Sequence, residues 1–346
     1  MAMMKTALYN GGKSMHLAEQ KLPPIGESDA LIAVHGAGIC GSDLLINSEP
    51  TVANDFPAGH EVAGEIIEVG KGVDKSRIGQ RVAVDTIGHG RACMRCWYCR
   101  IGQYRSCMDQ APIEGGGFSE YIKRRAEGCY PIPENMSWNE GALVEPLAVS
   151  VHGIRRGEMT GNETIVVLGA GTIGLTAVAA ARSLGAGKIF ISARHEHQAM
   201  MAERLGADVV ITSGSSDLLE SVYASTQGRG ADVTIETVGG NSVATLEQAI
   251  EVTRVQGRIV VLGGFRKPLT TNWLNPLLKE QSIIFSSCYS VMNGRHDFEI
   301  SIDLIASGRI QLQQMVTHCF GLDQIQNAFN TAYDKSTGSI KVQIQS

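Results

Sequence analysis

The sequence predicts an α/β fold in which a doubly wound parallel sheet is joined to a second, mostly β domain. The chain has 346 residues, more than one hydrophobic core usually supports, so two domains are expected. After about residue 162, short apolar runs alternate with helical segments, which is the pattern of parallel strands joined by helical crossovers. These six predicted strands cover 164–168, 188–192, 208–212, 232–236, 258–262 and 283–288.

The two ends of the chain are expected to form the mostly β domain. Glycine-rich turns separate short β-type runs in the first third of the sequence. Beyond residue 290 the alternation of strands and helices stops, and the chain is predicted to return to the first domain because a lone terminal strand needs a sheet to join. The predicted domains therefore span 1–150, 151–289 and, as the return to the first domain, 290–346. The other predicted elements are early strands at 30–34, 62–69, 81–85 and 121–123, helices at 172–184, 198–205 and 297–306, and a final strand at 340–344.

Composition favours a globular protein and disfavours several classes of partner. Hydrophobic residues make up 43% and charged residues 19% of the chain, which is enough apolar material for a large core. The net charge of −5 disfavours nucleic acid or an anionic membrane as the main partner, and no uncharged stretch has the length of a transmembrane helix. The first residues lack the features of a signal peptide, so a cytoplasmic location is expected. The basic cluster Lys123-Arg124-Arg125 is interpreted as a solvated strand end.

A glycine motif lies between the first strand of the predicted parallel sheet and the helix that follows it. The segment reads Gly169-Ala170-Gly171-Thr172-Ile173-Gly174, which has the G-x-G-x-x-G spacing of dinucleotide-binding sites. In such a motif Gly169 permits the tight turn, Gly171 admits a pyrophosphate and Gly174 allows close packing of helix on strand. The helix N-terminus attracts the phosphates. The alternative is a glycine-rich turn without a ligand, which the strand and helix on either side disfavour.

The end of the second predicted strand indicates which dinucleotide binds. Sites for NAD usually carry an acidic residue there, which holds the ribose 2′-hydroxyl. This chain reads Ser192-Ala193-Arg194 instead. Ser192 can donate a hydrogen bond to a 2′-phosphate, and Arg194 can offer it a charged fork. The sequence therefore predicts a preference for NADP(H) over NAD(H); the alternative is a solvent-facing Arg194 beside a loosely selective site.

Four cysteines crowd into one short segment of the first domain. They follow the spacing C-x₂-C-x₂-C-x₇-C, at Cys93, Cys96, Cys99 and Cys107. Four thiolates with no open position are typical of a closed tetrahedral zinc site with a structural role. Disulfide bonds or an iron–sulfur cluster are the alternatives. Zinc would tie down the segment 91–108, which has little apolar material of its own.

A second set of candidate metal ligands comes from distant parts of the chain. Cys40 supplies a thiol, His60 and Glu61 supply an imidazole beside a carboxylate, and Glu145 supplies a further carboxylate. Each of these residues alone would usually be structural or solvated. Together they form a mixed nitrogen, oxygen and sulfur set, which suits a catalytic zinc that keeps one position open for water or substrate.

The order of these motifs resembles that of a known enzyme family. Five motifs occur in the same order as in that family, and the match covers essentially the whole chain. They are Cys40-Gly41-Ser42-Asp43, Gly59-His60-Glu61, the four cysteines, the stretch 145–152 and the glycine motif. In this respect the chain resembles zinc-dependent medium-chain dehydrogenases/reductases, above all their sorbitol/polyol and threonine dehydrogenase branches. The resemblance implies a GroES-like catalytic domain made of both chain ends, a Rossmann domain between them and an active site in the cleft. It also implies homodimers or homotetramers, with the strand at 283–288 pairing across a two-fold axis.

The resemblance further implies roles for individual residues and two zinc ions per subunit, one catalytic and one structural. Ser42 matches the hydroxyl that passes the substrate's proton. Asp43 would orient His60 as the carboxylate behind a zinc-bound histidine. The residues that match catalytic zinc ligands are Cys40, His60, Glu61 and, directly or through water, Glu145.

The implied activity is hydride transfer between NADP(H) and a secondary alcohol or ketone, with a polyol, ketose or related sugar alcohol as the substrate. The pair Ala193-Arg194 also resembles that of NADP-dependent ketose reductases in the polyol branch. Two departures bear on the substrate: Leu45 stands where many relatives carry a proton-relaying His, and Ser286-Ser287 stands where polyol dehydrogenases carry an Arg-Tyr pair. The alternatives are an aldose or cyclitol dehydrogenase, then an L-threonine dehydrogenase, and, outside the enzymes, an NADPH-binding structural protein.

Overall fold

The chain forms two compact units, of which one combines Met1–Glu145 with Tyr289–Ser346 and the other comprises Pro146–Cys288. The structure is a computed structural model that describes residues 2–50, 58–212 and 214–345. Within those three ranges, no helix has the length and apolar character that crossing a membrane requires. The strands are β1 (Met3–Gly11), β2 (Ser14–Lys21), β3 (Asp29–Gly38), β4 (Glu61–Val69), β5 (Arg81–Asp85), β6 (Tyr121–Arg125), β7 (Cys129–Pro131), β8 (Thr164–Leu168), β9 (Lys188–Ser192), β10 (Val209–Ile211), β11 (Ala231–Glu236), β12 (Thr253–Val261), β13 (Ser282–Phe285), β14 (Val291–Met292), β15 (Arg295–His296), β16 (Val316–Gly321) and β17 (Lys341–Gln345). The helices are α1 (Gly41–Ser48), α2 (Trp97–Arg100), α3 (Trp138–Ala142), α4 (Val144–Arg156), α5 (Thr172–Ser183), α6 (Glu196–Arg204), α7 (Ser215–Ser225), α8 (Ala244–Val252), α9 (Leu274–Leu278), α10 (Asp297–Ala306) and α11 (Ile325–Tyr333).

The unit formed by Pro146–Cys288 contains a six-stranded parallel sheet in the order β10-β9-β8-β11-β12-β13. Helices α5, α6, α7 and α8 lie between consecutive strands, so the chain returns each time to the same end of the sheet. Strands β8 and β9 are almost wholly buried, as strands covered on both faces must be. The order and the crossovers confirm the predicted doubly wound sheet.

Strands β10 and β11 differ from their predicted bounds by one residue at one or both ends, and β12 and β13 differ by more. Strand β12 begins at Thr253 and not at residue 258, because Thr253 already pairs with Ala231 before a shift in register. Strand β13 ends at Phe285 and not at residue 288. Its pairing with β12 ends at that residue, opposite Val261, and Cys288 adopts a positive φ of 57°. Apolar patterns locate such strands well, but they do not show where the ladder of hydrogen bonds stops.

The other unit is built mainly of strands, which confirms the predicted mostly β domain. Its main sheet has the order β16-β17-β3-β4-β5-β7, and β6 pairs with β3 as well. Neighbouring strands are antiparallel except β16 and β17. The hairpin β1–β2 and helix α11 pack on a common core in which Ile32, Ile66, Phe118 and Phe329 are fully buried. Strand β17 joins this sheet by pairing Gln343 with Gly38 of β3.

The basic cluster at the end of β6 is not the solvated strand end that the sequence predicts. Arg124 is only 4% exposed. Its guanidinium donates hydrogen bonds to the carbonyl oxygens of Thr86 at 3.1 Å and of Glu114 and Gly115 at 2.9 Å. Burial lowers the pKa of Arg124 to about 10. Backbone carbonyls thus satisfy the donors of a buried arginine, which a local sequence pattern does not reveal.

Candidate functional site

Three candidate metal ligands come together at one end of the main β sheet. One donor atom each from Cys40, His60 and Glu61 lies within 4.8 Å of the others. The strand pairing explains this proximity, because Gly38 at the end of β3 lies directly opposite Glu61 at the start of β4. Cys40 follows β3 and His60 precedes β4, so antiparallel pairing brings them to the same edge. A Cβ at Gly38 would lie 1.9 Å from Oε2 of Glu61, so a larger residue there would displace this carboxylate.

Asp43 links two of these ligands. It lies in the first turn of α1 and is 2% exposed. Its Oδ2 accepts a hydrogen bond from the backbone N–H of Cys40 at 2.8 Å, and its Oδ1 lies 3.4 Å from Nδ1 of His60. Burial by itself would raise the pKa of Asp43, but His60 and the hydrogen bonds outweigh it and hold that pKa below its ordinary value. This is the position that the sequence predicts for a carboxylate behind a zinc-bound histidine.

Tyr9 also contacts Asp43, and sequence reasoning missed it. The Tyr9 hydroxyl donates a hydrogen bond of 2.6 Å to Oδ1 of Asp43. Burial first, and then the charge of Asp43, raise the pKa of Tyr9, so the phenol stays protonated and can only donate to the carboxylate. Tyr9 lies among buried residues of β1, and no local sequence motif indicates its contact with Asp43.

Glu61 forms a buried ion pair with Lys341, the second residue that sequence reasoning missed. Both residues are 1% exposed, and Nζ of Lys341 lies 2.7 Å from each carboxylate oxygen of Glu61. The Lys341 ammonium also donates to the carbonyl of Ile39 at 3.1 Å. The sequence contains one signal for Lys341: this lysine lies at the start of the last predicted strand, and that strand must join a sheet.

Glu145 lies in the first turn of α4 and is buried, but it is not one of the three clustered ligands. Burial raises the pKa of Glu145 to about 8, an effect that the charge of His60 opposes and that of Glu61 reinforces. Ser42 is half-buried at the second position of α1. Leu45, further along that helix, is 39% exposed.

The donor set of Cys40, His60 and Glu61 fits a zinc ion. Sulfur, nitrogen and oxygen donors in a group of three are typical of zinc sites that leave a position open. Asp43 and Cys40 raise the pKa of His60 well above its ordinary value against the effect of burial, so a metal would take the place of a proton on this ring. Each carboxylate oxygen has more than one lone pair, so Glu61 can serve a metal and Lys341 together.

The four clustered cysteines fit a closed zinc site. Their sulfur atoms all lie within 4.8 Å of one another, with separations of 3.5 Å (Cys96 to Cys99), 3.9 Å (Cys96 to Cys107) and 4.0 Å (Cys93 to Cys99). Four sulfurs about 2.3 Å from a tetrahedral zinc would be roughly 3.8 Å apart. These separations are too long for disulfide bonds. Hydrogen bonds from the backbone of Met108 and Cys99 lower the pKa of the Cys96 thiol to about 6, which favours the thiolate that binds metal.

The glycine motif has the geometry of a phosphate-binding turn. Gly169 follows β8 with a φ of 95°, a conformation that favours glycine. A Cβ at Gly174 would lie 1.9 Å from the carbonyl oxygen of Gly169, so α5 can pack this closely only with glycine there. A Cβ at Gly171 would meet nothing within 4 Å, which leaves open space for a ligand. Thr172 and Ile173 form the start of α5, and the first N–H groups of a helix have no partner within the helix, so they can bind phosphate.

A cavity of about 490 Å³ adjoins this turn. Ala193 is buried and Arg194 exposed, and both line it. Ser192 lines it as well, and its Oγ accepts a hydrogen bond from the N–H of Gly169 at 3.1 Å. Ser192 thus supports the glycine turn, and its hydroxyl hydrogen remains available to a ligand. Further residues around the cavity are His195, Gln198, Thr212, Gly214, Ser215, Thr237 and Gln248.

Two sequence profiles and a curated relative match the chain over much of its length. A sequence profile described as zinc-binding dehydrogenase matches residues 172–307, and one described as alcohol dehydrogenase GroES-like domain matches residues 26–134. The sorbitol dehydrogenase of Bacillus subtilis is 32% identical over 99% of this chain and 97% of its own length.

Among the solved structures of similar proteins, one contains NADP and another contains NADH. A zinc-binding dehydrogenase from Sinorhizobium meliloti, bound to NADP, superposes with a TM-score of 0.85 at 26% identity and full coverage of both chains. An alcohol dehydrogenase from Escherichia coli, complexed with NADH, superposes with a TM-score of 0.88 at 28% identity and the same coverage. The chain therefore belongs to the zinc-type medium-chain dehydrogenases, in the branch that includes sorbitol and threonine dehydrogenases.

Proposed function

We propose that this protein transfers hydride between NADP(H) and a secondary alcohol or ketone at a zinc site, with a polyol, ketose or related sugar alcohol as its substrate. The observation that carries the proposal is the cluster of donor atoms from Cys40, His60 and Glu61 within 4.8 Å. The similarity to a sorbitol dehydrogenase over nearly the whole chain supports the substrate class.

The residues of the site have distinct tasks in this reaction. When bound, zinc polarises the oxygen of an alcohol or ketone as a Lewis acid, and the nicotinamide accepts or supplies the hydride. Ser42 offers a half-buried hydroxyl that can pass the substrate's proton. Leu45 has no group that relays a proton, so the proton leaves Ser42 through water. Glu145, whose pKa is about 8, can hold a proton near neutral pH beside the ligands.

Metal analysis and kinetics test the proposal together. The purified protein should contain close to two zinc ions per subunit and should reduce ketoses or oxidise polyols with a nicotinamide cofactor. Cys40→Ser should remove the catalytic zinc and the activity but leave the structural zinc in place. Cys319→Ser is the matched control, because Cys319 is an exposed thiol away from both clusters. Far fewer than two zinc ions in an active preparation would refute the proposed metal content.

The cavity beside the glycine turn supports a preference for NADP(H). Arg194 lines this cavity together with Ser192, and neither carries the negative charge that would repel a 2′-phosphate. Arg194→Ala should lower kcat/KM for NADPH about 10- to 100-fold, which is the effect of losing one charge-assisted hydrogen bond. The kcat/KM for NADH should stay nearly unchanged. Arg204→Ala is the control, since Arg204 is exposed at the end of α6 and does not line the cavity. A wild-type protein that prefers NADH would refute this preference.

Activity assays on a panel of alcohols and ketones test the proposed substrate class. Ser286 and Ser287 cannot grip a polyol hydroxyl as an Arg-Tyr pair would, so weak activity on sorbitol with better activity on an aldose, a cyclitol or L-threonine would identify an alternative substrate. Tight NADPH binding without activity on any of these would indicate an NADPH-binding structural protein.

An apolar edge of the parallel sheet supports a homodimer. Strand β13 is the last strand of its sheet, and the side chain of Phe285 is 67% exposed. Leu277 and Leu278 on the preceding helix are 70% and 72% exposed. An exposed apolar edge strand is a site for pairing with another chain. Light scattering should show a dimer or tetramer, and Phe285→Asp should shift it towards the monomer.

A further inference from the structure

Tyr9 places a phenol hydroxyl inside the core of the unit that holds the candidate metal site. Its side chain is 1% exposed, and its ring meets that of Phe329 edge-on at 6.3 Å. Phenylalanine would fill this position equally well if the ring were the only requirement. A buried hydroxyl costs free energy unless it forms hydrogen bonds, so its partners indicate why it is there.

Two hydrogen-bond partners of the Tyr9 hydroxyl lie next to His60. Its hydroxyl donates to Oδ1 of Asp43 at 2.6 Å, and the backbone of Gly59 forms a second hydrogen bond with the same hydroxyl. Gly59 directly precedes His60 and has a φ of 89°. One hydroxyl of β1 therefore joins the helix that carries Asp43 to the turn that carries His60.

The two oxygens of Asp43 divide their contacts between the ligands. Oδ2 accepts from the backbone of Cys40, whereas Oδ1 accepts from Tyr9 and lies 3.4 Å from Nδ1 of His60. Tyr9 thus holds the oxygen that faces the imidazole. With Nδ1 directed at this carboxylate, the other ring nitrogen is the one left to bind a metal.

We propose that Tyr9 is a positioning residue of the catalytic metal site, which fixes Asp43 so that Asp43 presents the His60 imidazole in its metal-binding orientation. This assignment of Tyr9 rests on one part of the proposed function, namely that the site binds a metal. No substrate is needed to test it, because metal affinity and the ligand field at the metal report the orientation of His60 directly.

The test replaces the catalytic zinc with Co²⁺ and compares two variants that each lose one phenol hydroxyl. Tyr9→Phe removes the hydrogen bond to Asp43 and keeps the buried ring. Tyr333→Phe is the matched control: its ring also packs against Phe329 at 6.3 Å, and its hydroxyl donates to the carbonyl of Leu44 in the same helix at 2.7 Å.

Tyr9→Phe should weaken Co²⁺ binding about 3- to 10-fold and shift the visible absorption of the bound ion, whereas Tyr333→Phe should do neither. Asp43→Asn should weaken binding about 10- to 100-fold, and adding Tyr9→Phe to it should cause little further loss, because both changes act through one carboxylate. Equal Co²⁺ affinity and an equal spectrum in Tyr9→Phe and wild type would overturn the assignment of Tyr9. Equal losses in Tyr9→Phe and Tyr333→Phe would overturn it as well, in favour of a merely structural role. A wild-type protein whose Co²⁺ binding does not depend on Cys40 would instead overturn the proposed function, and the assignment with it.

Discussion

Lys341→Met should destabilise the unit that holds the candidate metal site by about 3 to 5 kcal/mol, the usual cost of removing one partner of a buried ion pair. The Lys341 ammonium forms three hydrogen bonds, two to Glu61 at 2.7 Å and one to the carbonyl of Ile39 at 3.1 Å. Methionine has a similar volume and leaves little cavity. The loss therefore arises from the carboxylate of Glu61, which would be charged, 1% exposed and without its cation.

A double variant separates this electrostatic cost from any defect in packing. Glu61→Gln/Lys341→Met has no buried charge at these positions, so it should be more stable than Lys341→Met alone. We expect a coupling free energy of about 2 kcal/mol or more between the two positions. Lys71→Met is the control for loss of a positive charge, because Lys71 is an exposed residue of the same unit, and it should change stability by less than about 0.5 kcal/mol.

The measurement is urea unfolding at pH 7 of protein from which the catalytic zinc has been removed, followed by circular dichroism, because a zinc ion bound to Glu61 would replace the missing cation in Lys341→Met. Equal slopes of free energy against urea would show that the variants differ in stability and not in the surface exposed on unfolding. A loss below about 1 kcal/mol in Lys341→Met would refute the reasoning. A double variant no more stable than the single one would also refute it, because the cost would then not lie in the unpaired carboxylate.

Three further changes follow from the structure. Gly174→Ala should lower the free energy of unfolding by about 1 to 3 kcal/mol, because the new Cβ would lie 1.9 Å from the carbonyl oxygen of Gly169. Gly171→Ala should leave the melting temperature unchanged, because its Cβ would meet nothing within 4 Å, and it should raise the KM for the cofactor. Cys99→Ala should release the structural zinc and increase proteolysis between residues 91 and 108 while the catalytic zinc stays bound, and retention of both zinc ions would contradict the closed site. Burial lowers the pKa of His89 from 6.5 to about 4, so the unfolded chain binds the proton more readily and stability should fall by about 2 to 3 kcal/mol as the pH falls from about 6.5 to 4. His89→Phe keeps the stack on Tyr104 and should show a flatter dependence over this range, and an unchanged slope would exclude His89 as the titrating group.

The parts of the fold that the sequence predicts well are those set by local pattern. Strands β8 and β9 have the predicted bounds because each is a run of apolar residues that ends in a turn. The glycine turn follows from Gly169, whose positive φ favours glycine, and from Gly174, whose Cβ would meet the carbonyl oxygen of Gly169 five residues earlier. Such features need no knowledge of distant contacts.

The contacts around the candidate metal site depend on distant residues, and there the sequence was less informative. The hydrogen bond of Tyr9 to Asp43 spans 34 residues, and that of Lys341 to Glu61 spans 280. Arg124 is buried for a similar reason, since carbonyls from other loops satisfy it. The residue types of the ligands could be recognised from their motifs, but the side chains that hold them have no motif of their own.

The place of Lys341 in the chain has a consequence for synthesis on the ribosome. Glu61 emerges 280 residues before the ammonium that neutralises it, an interval of about 14 to 56 seconds at usual elongation rates of about 5 to 20 residues per second. During that interval the strands β3, β4 and β5 can pair, but the carboxylate cannot be buried at low cost. Glu61 must therefore stay hydrated or protonated until β17 arrives. The early sheet should remain open to water and to chaperones for most of translation, and it should close only when the last strand is inserted beside β3.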